Sequence, residues 1–191
     1  FRQQSQGRPT QLIWSFYQIM SWMKTLKPVF FVRSLEPFFC PCCHSSERKV
    51  IGSRNRKMIE TDQASGDLQE KVLRIRRLQC RNCLKIHHEL PDLLVPYKRY
   101  AAATIEAALD ETEVALEIST IRRWVSWFEG ITCHLLGVLN TMTDDNTVEK
   151  TPPPGTPLQR LRQYVGNLPG WLSRVVQQAV KKNLWVQTRS A

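Results

Sequence analysis

Residues 40–83 read CPCCHSSERKVIGSRNRKMIETDQASGDLQEKVLRIRRLQCRNC, and this stretch decides the fold. It begins with one C-x-x-C pair, Cys40 and Cys43, and it ends with another, Cys80 and Cys83. Two such turns that face each other can bring four thiolates to a tetrahedral Zn²⁺, at about 2.3 Å per bond. The spacing therefore predicts a zinc ribbon in which these four cysteines bind a structural zinc ion.

Two side chains near the pairs leave the ligand set open. Cys42 offers another thiol inside the first pair, and His87 follows the second pair. Cys42 can replace Cys40 or Cys43 in a shifted geometry, although the C-x-x-C frame favours the outer two cysteines. His87 can substitute for a cysteine, but we expect it to donate a hydrogen bond near the site or to pack on the ribbon.

The same cysteines bear on whether the protein is an enzyme. Four thiolates close the coordination sphere of zinc, whereas a catalytic site keeps one position open, so we expect no enzymatic activity. A redox-active C-x-x-C is the alternative, but no thioredoxin-like β-α-β pattern surrounds either pair. The sixth cysteine, Cys133, is predicted to be a small buried hydrophobic residue.

The segment between the two pairs has the pattern of a β-hairpin. Residues 49–59 and 71–78 alternate as strands do, with apolar side chains set against arginines in the second. Residues 63–67 form the predicted turn, in which Gly66 is free to adopt a positive φ. Residues 29–32 read as a further short strand. With the helices predicted below, the expected fold class is α+β.

A helical unit follows the ribbon. Helices are predicted over residues 97–110, around 113–116, and over 120–129, with Ser119 as N-cap and Gly130 as C-cap of the third. The apolar side chains of the third helix recur at i, i+3, i+4 and i+7, which places Trp124 and Phe128 on a buried face. The order and lengths are typical of a helix-turn-helix, and the alternative is a small bundle that only packs.

The third helix supplies the candidate DNA contacts. In a helix-turn-helix the last helix enters the major groove, so Arg122 and Arg123 could reach phosphate or guanine, and Thr120 and Ser126 could add phosphate contacts. A second candidate set lies on the basic hairpin strand, where side chains can track phosphates or simply form a solvated face. It comprises Arg74, Arg76 and Arg77.

Charge is spread unevenly along the chain. The 191 residues carry 27 basic and 17 acidic side chains, for a formal net charge of +10, and the acids concentrate in residues 101–150. A basic chain with one acidic block suggests a polyanionic partner, although a surplus that only aids solubility is the simpler explanation. The acids beside the third helix must face away from DNA if it binds there.

These patterns predict five segments. They are an N-terminal tail with an amphipathic helix (residues 1–35, the helix at 11–26), the zinc ribbon (36–92), the helix-turn-helix (93–130), a linker (131–156) and a basic helical tail (157–191) with a break at 167–170. The N-terminal helix is expected to cover the ribbon, with a membrane-surface or partner-binding helix as alternatives.

The cysteine usage and the hydropathy predict the compartment. The chain is too cysteine-poor for a disulfide scaffold, and no stretch reaches the roughly 18 apolar residues of a membrane span. We therefore expect a cytoplasmic protein that does not interact with membranes.

Several motifs in combination resemble a bacterial family, domain of unknown function 6431. They are CPxC at residues 40–43, LRIRRLQCRNC at 73–83, His87, LPDLLVPY at 90–97, Tyr100, IEAAL at 105–109 and STIRRW at 119–124. The region is also similar to the zinc-ribbon and helix-turn-helix front end of insertion-sequence transposases. The resemblance implies DNA binding in a mobile-element setting. The chain departs from the usual knuckle at Cys42 and at His44, where glycine commonly follows the second cysteine.

The resulting expectation is a zinc-stabilised protein that binds double-stranded DNA and acts as a transposase-like accessory or regulator without a catalytic domain. The alternative is an interaction adaptor that docks a recombinase or transposase through the ribbon and the aromatic N-terminal helix. Salt separates the two, because phosphate contacts weaken steeply as salt rises.

Overall fold

A mixed β-sheet with helices packed on one face organises the chain. The computed structural model describes residues 11–15, 17–22, 29–62, 64–112, 114–141 and 155–186, and for residues 11–22 the description is confined to the backbone. The strands are β1 Gln11–Ser15, β2 Tyr17–Trp22, β3 Val29–Ser34, β4 Arg48–Thr61, β5 Leu68–Cys80 and β6 Ile86–Pro91. The helices are α1 Ala102–Leu109, α2 Ile118–Asn140, α3 Pro157–Val165 and α4 Trp171–Lys181.

Strand β5 is the centre of the sheet. Along one edge it pairs antiparallel with β4, from Leu68 opposite Thr61 to Cys80 opposite Arg48. Its other edge is shared, because β3 pairs parallel with residues 72–75 and β6 pairs antiparallel with residues 77–79. Strand β1 extends the sheet beyond β6 and β2 extends it beyond β3. Among the described residues, β4 is therefore an edge strand.

Because side chains alternate along a strand, the sheet has two different faces. Leu73 and Ile75 of β5 and Leu90 of β6 lie on the face that belongs to the main core, here called the helical face. Leu78 and Cys80 lie on the opposite face, here called the cysteine face, in a separate small cluster. The helical face thus contributes to the main core, and the cysteine face carries the cysteine cluster.

The main core joins the sheet to the helices. In α2 the buried side chains Phe128, Ile131 and Leu135 follow helical spacing, and Phe128 meets Trp171 of α4 edge-to-face, with 5.6 Å between ring centroids. Each fully buried side chain of this kind contributes about 1.5–3 kcal/mol relative to an exposed one. The sheet and the helices therefore share one core.

The predicted hairpin, its turn and the broken C-terminal helix are confirmed. Strands β4 and β5 contain both predicted strands, and the described part of the turn closes with Gly66 at a φ of 76°. In the tail, α3 and α4 flank the predicted break, and Thr156 with Gln159 forms a capping box at the start of α3. Local patterns were sufficient for these elements.

The predicted N-terminal helix over residues 11–26 is wrong where the structure describes it. Residues 11–15 and 17–22 are strands β1 and β2, and residues 16 and 23–26 lie outside the described residues. The segment is rich in aromatic and β-branched residues, which favour strands as well as apolar helix faces. Its pairing with β6 and β3 decides between the two.

The three-helix unit is not confirmed. Helix α1 begins at Ala102 rather than Tyr97, whose φ of 64° is incompatible with a right-handed helix. Residues 114–117 are not helical, and residue 113 lies outside the described residues. In the described part of the chain, α1 is therefore followed directly by α2.

Helix α2 also runs past the predicted stop at Gly130 to Asn140, so residues 131–140 are helix and not linker. A glycine inside a helix costs only about 1 kcal/mol, and burial of Ile131, Leu135 and Val138 offsets that cost. Cys133 is exposed on this helix, so its predicted burial is wrong.

None of the helices in the described ranges combines the length and the apolar character that a bilayer crossing requires.

Candidate metal centre

Two short turns with the same backbone conformation carry the cysteines. In the first, the His44 amide donates to the Cys40 carbonyl at 2.8 Å, and in the second the Leu84 amide donates to the Cys80 carbonyl at 3.1 Å. His44 and Leu84 are both in the left-handed region, with φ of 57° and 59°. Each C-x-x-C therefore forms the same knuckle, and a non-glycine residue occupies the left-handed position in both.

The hairpin brings the knuckles together. Strand β4 begins just after the first knuckle, β5 ends at Cys80 where the second begins, and Arg48 lies opposite Cys80. The register of the hairpin shifts once, between Val50 and Gly52, and the pairing of residues 48–50 with residues 78–80 beyond that shift fixes the position of one knuckle relative to the other.

The four predicted ligands form one cluster. The sulfur of Cys40 lies 3.5 Å from that of Cys83, the sulfur of Cys43 lies 3.6 Å from that of Cys80, and all four lie within 4.8 Å of one another. A tetrahedral site with metal–sulfur bonds of about 2.3 Å has sulfurs about 3.8 Å apart. The four cysteines can therefore hold a metal ion with little rearrangement.

Burial differs between the ligands. Cys40 and Cys80 are fully buried with Phe38 and Leu78, whereas Cys43 and Cys83 are partly exposed. This apolar cluster is small, so packing alone provides little stability at this end of the sheet. The site is thus closed on its inner side and reachable from solvent on its outer side.

The thiols differ in acidity as well. Burial raises the pKa of the Cys40 thiol to about 12, whereas a hydrogen bond from the Ser45 backbone lowers the pKa of Cys43 to about 6. In the absence of metal, the thiolate form is therefore favoured at Cys43 and disfavoured at Cys40. Since a metal binds the thiolate form, binding releases the proton of Cys40.

His87 and Cys42 form a second group around Cys40. The Nε2 atom of His87, which is fully buried, lies 3.4 Å from the Cys40 sulfur, and the ligand atoms of Cys40, Cys42 and His87 lie within 4.8 Å of one another. Burial lowers the pKa of His87 to about 4, so the ring is neutral at physiological pH and can donate one N–H to this sulfur.

The matching knuckles address Cys42, which sequence reasoning left open. Cys42 occupies the position that Asn82 occupies in the second knuckle, between the two ligand positions. The structure therefore favours the set Cys40, Cys43, Cys80 and Cys83, with His87 as a hydrogen-bond donor to it.

The left-handed knuckle positions give a stability prediction. Leu84 is 65% exposed and adopts φ 59°, a conformation that costs a non-glycine residue about 1–2 kcal/mol. We expect Leu84→Gly to raise the free energy of unfolding by about 1 kcal/mol, measured by denaturant titration. Leu168→Gly is the matched control, because Leu168 is similarly exposed without a positive φ and should show no gain. A loss of stability in Leu84→Gly would contradict the argument.

The DNA-contact candidates on α2 share its solvent side. Arg122, Arg123 and Ser126 are exposed and Thr120 is partly buried, while Trp124 and Phe128 are in the core as predicted. The Arg123 guanidinium donates to the Thr120 hydroxyl at 3.1 Å. Helix α2 begins at Ile118, so Ser119 lies in its first turn and Glu117 takes the N-cap position.

The three arginines of β5 are not brought together. Arg76 makes a two-point ion pair with Glu89, at 2.5 and 2.6 Å, and Glu89 is only 2% exposed. Arg74 lies on the same face, where it donates to Asn55 and its guanidinium is 5.0 Å from the centre of the Phe31 ring. Arg77 pairs with His88 on the helical face. Arg76 is thus committed to an internal contact.

Sequence reasoning missed a contact beside α2. Lys98 is buried, with its ammonium 3.9 Å from the centre of the Trp127 ring, and Tyr100 meets Trp124 edge-to-face at 4.7 Å. Lys98 and Arg99 form a basic dipeptide that is visible in the sequence. The residue that Lys98 contacts, Trp127, lies on α2, beyond α1 and the loop that follows it. Residues 98–100 are therefore fixed against the first half of α2.

A family model described as Domain of unknown function (DUF6431) matches residues 40–124. The match runs from the first cysteine of the first knuckle to Trp124 in α2, and it supports the resemblance to that family. No match with a curated protein or with a solved structure was found.

Proposed function

We propose that this protein is a zinc-stabilised DNA-binding protein without catalytic activity, acting in the cytoplasm as a transposase-like accessory or regulator of a mobile element. One observation carries the DNA-binding part. Arg54, Arg56, Lys98 and Arg99 line one concave surface, and Lys98 lies against Trp127 on the side of α2 that carries Arg123. The mobile-element part rests on the resemblance alone.

The contacts of Trp127 support this common side. The Lys98 ammonium makes a cation–π contact with the Trp127 ring. Arg123 precedes Trp127 by four residues, so Arg123 and Lys98 lie on the same side of α2. Arg99 is exposed next to Lys98, and its carbonyl accepts a hydrogen bond from the Ile59 amide of β4. The basic surface therefore includes residues from α2, from the loop before α1 and from β4.

Internal contacts account for acids that otherwise oppose DNA binding. The Glu106 carboxylate accepts hydrogen bonds from the Gly170 and Leu172 amides at the start of α4, at 2.6 and 2.8 Å. Asp110 pairs with Arg162 and accepts a hydrogen bond from the Trp171 indole. These two carboxylates stabilise the helix packing, so their charge does not act as a free repulsive surface.

Zinc is the metal that the donor set favours. Four thiolates in a tetrahedral arrangement are typical of structural zinc, and soft sulfur ligands select against Mg²⁺ and Ca²⁺. Bound zinc would neutralise the thiolates and hold the two knuckles together at the end of the hairpin, where the apolar cluster is small.

An adaptor function is the second candidate. Phe39 and Leu84 flank the two knuckles and are 58% and 65% exposed, which leaves two large apolar side chains at this end of the sheet open to a partner. These residues could dock a recombinase or transposase. The predicted aromatic helix no longer supports this reading, because its described residues are strands.

The DNA-binding proposal predicts a specific loss. We expect Arg122→Ala combined with Arg123→Ala to weaken binding to duplex DNA at least severalfold and to reduce the salt slope by about 1–2, because each lost phosphate contact lowers the slope by about 1. Fluorescence anisotropy with labelled duplexes at several salt concentrations measures both quantities.

The matched control removes the same charge elsewhere. Lys181→Ala combined with Lys182→Ala acts at the end of α4, where Lys181 pairs with Glu36, and should lower affinity much less than the α2 variant does. Unchanged affinity in the α2 variant would count against α2 as the DNA-binding element. The adaptor function would be favoured if the wild-type protein bound a recombinase with an affinity that does not depend on salt, and did not bind DNA.

A further inference from the structure

A pocket opens on the helical face of the sheet, at the end that the helices leave uncovered. Its volume is about 410 Å³, within the range of about 300–1,000 Å³ that small-molecule sites occupy. Residues 54–57 of β4 form one wall and residues 97–99 form another, while Ile75 and Leu90 contribute from β5 and β6. The pocket is therefore bounded by rigid strands and by the loop that packs on α2.

The pocket is strongly basic. Its lining includes Arg54, Arg56, His88, Lys98 and Arg99, and it includes no acidic residue. In the described part of the chain, the ion pairs involve none of these arginines or Lys98. A concave surface lined by one sign of charge concentrates the opposite charge, so the pocket attracts an anion.

Two of the pocket cations, Arg56 and Lys98, are held in place before any ligand arrives. Arg56 is partly buried and donates to the carbonyls of Val95 and Lys98, at 3.1 and 2.6 Å, which ties β4 to the loop. Burial, together with the charge of Arg54, lowers the pKa of Arg56 to about 10, so it stays protonated at neutral pH. Lys98 is fixed on Trp127. Little ordering entropy is then lost on binding.

The rest of the lining suits a flat apolar group. Ile75 and Leu90 are buried in the floor of the pocket, and Tyr97 stands at its edge with half of its surface exposed. Tyr97 adopts a φ of 64°, a strained conformation that a non-glycine residue keeps only where surrounding structure imposes it. A planar ring can pack on these side chains while its charged substituent meets the arginines.

We propose that this pocket binds a nucleoside monophosphate unit, with the phosphate on Arg54 and Arg99 and the base against Ile75, Leu90 and Tyr97. The unit is either a free nucleotide or the 5′-phosphorylated end of a DNA strand. The pocket is formed by the part of the proposed DNA-binding surface that β4 and residues 97–99 contribute, but binding of a free nucleotide does not depend on duplex binding.

Isothermal titration calorimetry of the 191-residue chain, loaded with zinc, tests the pocket. Each of the four deoxynucleoside 5′-monophosphates is titrated, with the corresponding nucleosides and inorganic phosphate as comparisons. We expect at least one nucleotide to bind, and to bind at least tenfold more tightly than its nucleoside and than inorganic phosphate. Absence of binding by all four nucleotides, or equal binding of inorganic phosphate, would overturn the proposal.

Variants locate the site. Arg54→Ala combined with Arg99→Ala should weaken nucleotide binding at least tenfold, because both side chains are exposed and neither pairs with a carboxylate among the described residues. Lys49→Ala is the matched control, since Lys49 is an exposed cation of the same strand outside the pocket. A tenfold loss in the control, or no loss in the double variant, would overturn the assignment.

Duplexes that differ only at their ends distinguish the two sources of the ligand. Tighter binding of a 5′-phosphorylated duplex than of its 5′-hydroxyl counterpart, lost in the Arg54/Arg99 double variant, supports a strand end. Nucleotide binding without that preference supports a free nucleotide. If the protein binds duplex DNA but no nucleotide, the nucleotide-binding proposal is overturned and the DNA-binding proposal stands. If it binds a nucleotide but no duplex DNA, only the DNA-binding proposal is overturned.

Discussion

Replacing Cys80 by serine is expected to abolish tight zinc binding and to unfold the knuckle end of the sheet. Cys80 is the last residue of β5, it is fully buried, and its sulfur belongs to the four-thiolate cluster. Structural zinc contributes about 10–16 kcal/mol of apparent binding free energy in zinc-finger peptides at neutral pH, which is folding free energy. Loss of one ligand should therefore remove a large part of the folding free energy that zinc binding contributes to this protein.

The apolar packing around the cysteines cannot replace that contribution. The cluster beside the site consists of Phe38, Cys40, Leu78 and Cys80, with the other three knuckle cysteines partly buried against it. A loss of even about 3 kcal/mol would lower the Tm by about 6–12 °C in a chain of this length. The expected result is a metal-free protein that melts at a clearly lower temperature.

Metal analysis and calorimetry check this expectation together. The purified protein should contain one zinc per chain, and Cys80→Ser should contain none. Cys133→Ser is the first control, because Cys133 is exposed on α2 and should keep zinc and Tm unchanged. Cys42→Ser is the second, because Cys42 occupies the position of Asn82 between the ligands. One equivalent of zinc in Cys80→Ser, with a wild-type Tm, would refute the site.

Replacing Glu89 by alanine is expected to cost about 3–5 kcal/mol, since it removes a buried carboxylate whose two oxygens both accept from the partly buried guanidinium of Arg76. Glu89 is almost completely buried on β6, and both of its carboxylate oxygens accept from Arg76 on β5. The pair spans two adjacent strands close to the cysteines. A loss of this size corresponds to a decrease of about 6–20 °C in Tm.

Two further variants test the reason for that loss. Glu70→Ala removes the partner of Lys57 in an exposed pair and should cost no more than about 1 kcal/mol. Glu89→Leu combined with Arg76→Met replaces both charges with apolar groups and should recover much of the stability, because no buried charge is left unpaired. Denaturant titration gives the three free energies. A cost below about 1 kcal/mol for Glu89→Ala would contradict the burial argument.

The Arg76–Glu89 pair also shows why the candidate DNA contacts could be predicted only in part. The alternation of β5 indicated a strand with arginines on it, and Arg76 was as good a candidate as Arg74 or Arg77. Which arginine meets a carboxylate depends on the neighbouring strand and its register, and neither is visible in the local pattern. The same holds for Lys98, whose partner Trp127 lies on a separate helix.

The predicted elements divide in the same way. The hairpin, the first turn of the tail and the apolar face of α2 were predictable, because alternation, capping residues and helical spacing act over a few residues. The strands at residues 11–22 were not, because they pair with β6 and β3. The passage of α2 through Gly130 was not, because burial further along the helix outweighs a local stop signal.

The two knuckles, the four cysteines that can hold a metal ion and the hairpin that joins them were readable from the chain alone, since C-x-x-C spacing and strand alternation are local properties. Their surroundings depended on the tertiary structure. The pairing of distant strands set His87 beside Cys40 and Arg76 on Glu89, and the packing of residues 97–100 on α2 assembled a basic pocket from separated segments. Such contacts depend on the relative position of whole elements, which the shared core of sheet and helices sets.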